Sequence, residues 1–404
     1  MKRNLEAYRK IVGDEVISEI YKKTRGLWRE NVLHINSTYQ GGGVAEILNN
    51  LIPLMNYTGI DTDWRILHGT PDFFTITKKF HNALQGNTIN LTEIKKQIYE
   101  ETNEKFSTYT HINHDIVVIH DPQLLPLIKF YKKRQPWIWR CHIDFSNPNS
   151  ELLDFLKQYI LRYDFMILSN DKYIRKDLPI EQRIIYPAID PLSPKNMEIS
   201  DKLISKYLNK FGVKTDKPLI TQISRFDRWK DPLGTIDIFK IVRKEVDCRL
   251  VLCGSSALDD PESQEMFNKV MQKAKNLIEN GDVKIITAEN QILVNCLQRS
   301  SDVIIQKSLK EGFGLTVTEA LWKGKPVVAS NVGGIPLQIK DGENGFLVDP
   351  YDIEGSGKRI IKILENPDLG QKMGERGKEV VRKKFLITRL FADHLDILKM
   401  FPNI

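Results

Sequence analysis

Two stretches of the 404-residue chain combine cations, carboxylates and glycines at spacings suited to a phosphorylated ligand. The first is Ser224-Arg225-Phe226-Asp227-Arg228-Trp229-Lys230-Asp231. Arg225 offers a planar fork and Lys230 a point charge, and five residues apart on one loop they can converge on a diphosphate. A solvated basic loop would read the same way. The second is Glu311-Gly312-Phe313-Gly314-Leu315-Thr316-Val317-Thr318-Glu319-Ala320. Gly312 and Gly314 keep the backbone open, and a helix starting near Leu315 turns its free N–H groups and positive dipole end toward the loop, which suits a phosphate. Thr316 and Glu319, three apart, share a face of the first turn. An ionised carboxylate is acceptor-only, so Glu319 fits two ribose hydroxyls and Glu311 fits sugar hydroxyls. A third loop, Ser330-Asn331-Val332-Gly333-Gly334-Ile335-Pro336, allows close backbone approach to a ligand.

The first half offers fewer candidates. Gly41-Gly42-Gly43 can bring N–H groups to an anion. It is not G-x-G-x-x-G, because the third glycine position holds Glu46, and this counts against a dinucleotide-dependent oxidoreductase. In Trp137-Ile138-Trp139-Arg140-Cys141-His142-Ile143-Asp144, His142 ends an apolar run and Asp144 lies two residues further on. His111, His114 and His120 lack the i, i+4 pair with an acid of a helical zinc site. Asp61-Thr62-Asp63 has D-x-D spacing, but it precedes the apolar run 64–67 and reads as a solvated turn.

Elements of alternating type must position these residues. Apolar runs at 31–36, 115–120, 136–142 and 165–168 read as buried strands. Between them lie helical periodicity at 44–57, a Pro-started helix at Pro122 and a helix at 151–163. A second series has strands at 218–224, 249–253, 283–286, 302–306 and 326–329, then an amphipathic tail helix at 386–400. Strands alternating with helices imply βαβ units and parallel sheets. The segment 191–217 is polar and reads as the connection between two domains, matching a length of roughly 150 residues per domain.

Composition narrows the class. A net charge of +7 over 404 residues, with no Lys/Arg stripe, gives no nucleic-acid footprint. No apolar run approaches a membrane span of about 18 residues. No apolar core follows the initial charges, so no signal peptide is expected. Four cysteines without a C-x-x-C pair argue against a zinc or disulfide framework and fit the cytoplasm.

The Arg225/Lys230 loop, the E-x7-E pair Glu311 and Glu319, and Gly333-Gly334 resemble the donor-binding set of family 4 retaining glycosyltransferases. Tyr186-Pro187-Ala188-Ile189-Asp190 stands where that family carries Pro-Asn-Gly-Val-Asp. Ser37-Thr38-Tyr39-Gln40-Gly41-Gly42-Gly43-Val44-Ala45-Glu46, Trp139 to Asp144 and Gly333 to Ile339 are similar to trehalose glycosyltransferring synthases, which couple nucleoside-diphosphate glucose to free glucose reversibly. Two departures are Leu337, where many relatives carry Glu, and Ala188-Ile189 in place of Asn-Gly.

The resemblance implies an α/β protein of two facing Rossmann-like domains, the GT-B fold. Residues 1–200 would form the acceptor side and 201–385 the donor side, with the C-terminal helix 386–404 crossing back to the first domain. It implies donor contacts at Gly42, Gly43, Arg225, Lys230, Glu311, Gly312, Phe313, Gly314, Leu315, Thr316 and Glu319, and acceptor contacts at Tyr39 and Asp144. His142, Arg225, Lys230 and Glu311 would carry the chemistry, with His142 on the transferred sugar. No metal site and no cofactor are expected, and a divalent ion would at most stimulate. The partners are small molecules: nucleoside-diphosphate glucose, glucose and trehalose. No nucleic acid or membrane is expected, and a homodimer is compatible with the sequence. A trehalose phosphorylase-type enzyme, another sugar acceptor and a non-catalytic sugar-nucleotide-binding protein stay open as alternatives.

Overall fold

The computed structural model describes residues 4–39, 42–254 and 261–401. The chain divides into two compact units, one running to Ala188 and rejoined from Ile387 onward, the other Ile189–Leu386.

The first unit holds six parallel strands: β1 (Asn31–Asn36), β2 (Asp61–Ile66), β3 (Ile116–His120), β4 (Trp137–Arg140), β5 (Phe165–Leu168) and β6 (Glu181–Ile184). Their order is β2-β1-β3-β4-β5-β6. The central strands β3, β4 and β5 are buried throughout, as a parallel sheet covered by helices on both faces requires. Two elements of this unit differ from the sequence expectation. The strand over 136–142 stops at Arg140, because the chain turns out of the sheet where the His142 N–H donates to Asp121 Oδ1 at 2.8 Å. Asp61-Thr62-Asp63 opens β2 instead of forming a turn, since the Thr62 N–H and C=O are both held by the Asn56 side chain, at 2.8 and 3.0 Å. The last helix, Ile387–Leu398, buries Ile387, Leu390, Phe391 and Leu395 in this unit. It packs on the helices Asp14–Arg25 and Gly43–Tyr57, with Lys23 reaching Asp396 at 2.7 Å.

The second unit holds β7 (Leu219–Ile223), β8 (Arg249–Gly254), β9 (Val283–Thr287), β10 (Val303–Gln306), β11 (Val327–Ser330) and β12 (Phe346–Val348). They are parallel in the order β12-β11-β10-β7-β8-β9, the 3-2-1-4-5-6 arrangement of a dinucleotide-type sheet. The polar stretch 191–217 is structured: it contains the helix Asp201–Lys210, and Asn295 Nδ2 donates to the carbonyls of Pro194 and Met197, both at 2.9 Å. Both sheets reverse their winding direction once, between β1 and β3 and between β7 and β10. Loops leaving the carboxyl ends of such strands diverge and open a crevice. Among the described residues no helix is long and apolar enough to cross a membrane. All four cysteines are buried free thiols.

One contact fixes the helix that follows the Glu311 loop. The helix Pro367–Lys384 carries Gly374 and Gly377 on the face that meets the end of Leu315–Trp322. A Cβ at Gly374 would stand 1.9 Å from the Gly324 carbonyl oxygen, and one at Gly377 2.6 Å from Leu321 Cδ2. Backbone cannot retreat as a flexible side chain can, so Gly374→Ala is expected to cost about 2–3 kcal/mol by overpacking. Thermal denaturation checks this: the melting temperature should drop by several degrees.

Candidate functional site

In the second unit the predicted donor residues collect at the β7/β10 reversal. After β7 the chain turns at Asp227, whose Oδ1 accepts from the N–H groups of Trp229 and Lys230 at 2.9 and 3.1 Å. Its Oδ2 pairs with Arg225 at 3.1 Å while the Arg225 side chain stays 65% exposed. Gln222, buried at the end of β7, donates to the Lys230 carbonyl at 2.8 Å. Asp231 then sits in a left-handed conformation (φ 40°) and caps the next helix through Gly234 N–H at 2.9 Å. The buried Lys307 locks this turn by pairing with Asp231 at 2.6 Å.

Lys230 reaches across to the loop after β10, where its Nζ donates to Glu311. The Glu311 carboxylate also accepts from Ser308 Oγ at 3.2 Å and from Gln306 Nε2 at 3.5 Å. Gly312 and Phe313 follow, and Gly314 takes φ 86° as N-cap of Leu315–Trp322. Among the described residues no side-chain cap hydrogen bond is made at this helix start, so the N–H groups of Leu315 and Thr316 keep their donor capacity and the positive end of the helix faces the loop. Glu319 is the fifth residue of this helix, past the first turn expected for it, and is 3% exposed, with Lys195 Nζ 3.2 Å from its Oε1.

The Gly333-Gly334 loop serves as the floor. A Cβ at Gly334 would meet Phe313 Cα at 2.8 Å and the Gly312 carbonyl at 2.9 Å, so glycine permits the contact. The buried Gln338 ties the two loops, donating to the Phe313 carbonyl at 2.7 Å and accepting from Thr318 Oγ1 at 2.6 Å.

In the first unit, candidates gather at the ends of β1, β3 and β4. Gly42 precedes the helix Gly43–Tyr57 without a side-chain cap. Gln40 and Gly41 lie outside the described residues. Tyr39 is 60% exposed. His142 sits just past β4, and burial, with the nearby Arg140 charge, holds its pKa well below the ordinary value. Its Nε2 is 2.9 Å from His120 Nδ1. Asp121 presents its carboxylate to the His142 N–H and is pushed up to about 6 by burial, against the pull of that N–H and of Arg140. Asp144 Oδ1 is occupied by Ser146 N–H at 3.0 Å and Ser146 Oγ at 2.6 Å.

Arg140 is a structural residue: fully buried, it spends its guanidinium on the Leu168 carbonyl, Ser169 Oγ and the Ile185 carbonyl at 2.8, 3.2 and 2.7 Å. Of the three clustered histidines only His120 joins His142, whereas His114 pairs with Asp63 at 3.0 Å. Among the described residues no group of three His, Cys, Asp or Glu could hold a metal ion.

Sequence reasoning missed Lys195, Gln338, Asp121 and Lys307. Lys195 and Glu319 are 124 positions apart, and Lys307 and Asp231 are 76 apart, so only the fold reveals these pairs. Asp121 carried one local signal, an acid directly before a Pro-started element at the end of a strand.

Comparison with known proteins shows the family and the fold. Residues 34–175 match a family described as trehalose synthase, N-terminal domain, and residues 204–380 match glycosyl transferases group 1. A trehalose synthase of Thermococcus litoralis is 47% identical over 99% of this chain and 97% of its own length. A trehalose phosphorylase of Grifola frondosa is 30% identical over 92% of this chain, which spans 57% of that protein. Among solved structures, an α,α-trehalose-phosphate synthase (UDP-forming) from Burkholderia xenovorans superimposes with a TM-score of 0.75 over 92% of this chain and 99% of its own, at 12% identity, which speaks for the shared GT-B fold alone. The chain belongs to the trehalose synthase family of group 1 retaining glycosyltransferases.

Proposed function

We propose that the chain transfers the glucosyl group of nucleoside-diphosphate glucose to free glucose with retention, giving α,α-trehalose, and that it runs the reaction in both directions. The observation that carries the reading is the convergence of Lys230, Glu311, the uncapped helix start at Leu315 and Glu319 at one sheet reversal. Each part suits one portion of the donor. Arg225, Lys230 and the Leu315 and Thr316 N–H groups match a diphosphate. Glu319 matches two ribose hydroxyls once Lys195 yields one oxygen, and Glu311 matches sugar hydroxyls. On the other unit His142 would contact the transferred sugar, with Gly42 and Gly43 near the donor and Tyr39 and Asp144 at the acceptor.

In the proposed step the bond from the glucosyl anomeric carbon to the phosphate oxygen breaks as the acceptor oxygen bonds to the same face of that carbon. The acceptor proton passes to the departing phosphate oxygen. Arg225, Lys230 and the helix N–H groups stabilise the charge growing on that phosphate. No protein nucleophile and no metal ion is called for. Arg140 is buried and spends three hydrogen bonds on Leu168, Ser169 and Ile185, which supports free glucose over glucose 6-phosphate as the acceptor. The four free thiols are in keeping with a cytoplasmic enzyme.

A second reading, phosphorolysis of trehalose, draws on the likeness to the Grifola frondosa phosphorylase. A ribose-binding carboxylate has no task without a nucleoside, so Glu319 favours the first.

Three outcomes are expected. Incubation with a panel of nucleoside-diphosphate glucoses and glucose, followed by NMR, should give one non-reducing disaccharide with equivalent α-anomeric protons and a matching amount of nucleoside diphosphate. A reducing product, or turnover with glucose 6-phosphate alone, contradicts the acceptor assignment; phosphorolysis alone supports the second reading. Arg225→Ala and Lys230→Ala should each lose about 2–4 kcal/mol of transition-state stabilisation in steady-state kinetics. Near-normal activity in both removes the donor assignment. A chelator should leave turnover within about twofold; loss restored by a divalent ion contradicts the metal-free step.

A further inference from the structure

The functional reading uses one of three histidines that the first sheet lines up. β1, β3 and β4 are neighbours in the sheet. His34 is opposite Val118 and His120 is opposite Arg140, so each histidine lies two residues beyond the partner of the one before, on the same face. The rings form a row. Centroids of His34 and His120 are 5.2 Å apart, with 28° between the planes, and those of His120 and His142 are 5.3 Å apart, with 18°. Two hydrogen bonds run along it, His34 Nδ1 to His120 Nε2 and His120 Nδ1 to His142 Nε2, both at 2.9 Å.

Burial holds all three pKa values down, His34 to about 4 and the other two well below the ordinary value. At neutral pH each ring therefore carries one proton, on one nitrogen, and the other nitrogen accepts. His120 has a single proton for two bonds, so only two arrangements satisfy both. If it donates from Nδ1, then His34 donates from Nδ1 and His142 is protonated at Nδ1. If it donates from Nε2, then His142 is protonated at Nε2 and His34 at Nε2.

The ends of the row decide between them. His34 Nε2 is buried and has no hydrogen-bond partner among the described residues. In the second arrangement it is an N–H donor buried without an acceptor, the rarer and costlier kind of orphan. In the first it is a bare ring nitrogen, and the proton at the other end sits on His142 Nδ1. That nitrogen has no partner among the described residues and is not one of the buried, unpaired atoms, and His142 as a residue is partly exposed.

We propose that His34 and His120 are positioning residues that lock His142 in its Nδ1–H tautomer, so that it presents a hydrogen-bond donor to a sugar oxygen. The role of the donor rests on the reading above in which His142 contacts the transferred sugar; the tautomer itself does not.

The test is the ¹⁵N spectrum of histidine-labelled full-length protein at neutral pH, with His142 assigned by its loss in His142→Asn. The expected result is a protonated Nδ1 and an unprotonated Nε2 on His142. Protonation at Nε2, or at both nitrogens, overturns the proposal. His34→Phe keeps a stacked ring and removes the nitrogens that set the direction. It should give His142 a mixture of tautomers and lower kcat about ten-fold, the worth of one hydrogen bond, with the donor KM within about twofold. An unchanged His142 tautomer in that variant overturns the positioning role, and if the variant does not fold, the wild-type spectrum still decides. A correct tautomer in a protein that transfers no sugar refutes the functional reading and leaves this one standing.

Discussion

The ion pair between Lys230 and Glu311 is the interaction on which the second unit's site depends. It joins the loop after β7 to the loop after β10, the two segments that diverge at the reversal of the sheet. Both side chains are largely shielded, 17% and 11% exposed. A pair of this kind adds little net stability, but losing either member leaves a shielded charge unmatched, at a cost on the order of 3–5 kcal/mol. Its consequence is geometric. With the carboxylate anchored by Lys230, Ser308 and Gln306, the backbone from Gly312 to Leu315 is held where an uncapped helix start can meet an anion.

The same logic explains two carboxylates beside an anion-binding helix start. An unpaired Glu311 or Glu319 would repel a phosphate. Each instead has its own lysine, Lys230 for Glu311 and Lys195 for Glu319, so the cluster presents acceptors for hydroxyls without a net negative field. The third loop completes this arrangement without charge. Gly334 admits the Phe313 backbone, and Gln338 holds it by donating to the Phe313 carbonyl while accepting from Thr318 Oγ1. Preorganised dipoles of this sort act most strongly where water is scarce.

Much of this was legible in the sequence, for local reasons. Apolar runs such as Phe165–Leu168 and Leu219–Ile223 marked buried parallel strands, and the loops following them carried the cations, carboxylates and glycines. What escaped was either weakly patterned or non-local. β6 reads Glu-Gln-Arg-Ile, a half-exposed edge strand with no apolar run, and β12 has three residues. Asp61-Thr62-Asp63 looked like a turn because its strand lies at the sheet edge with two of three side chains exposed. The lysine partners of the two carboxylates, and the row His34, His120, His142, come together only when strands distant in sequence become neighbours.

The central claim is that the loops at the β7/β10 reversal hold a nucleoside diphosphate. Titration calorimetry of the full chain with a nucleoside diphosphate, the matching monophosphate and inorganic phosphate addresses it most directly, without turnover. The account predicts that the diphosphate binds at least about ten-fold more tightly than the monophosphate, that phosphate alone is weaker still, and that Glu319→Gln erodes the nucleotide preference. Phosphate binding as tightly as the nucleoside diphosphate, with Glu319→Gln indifferent to both, would contradict it.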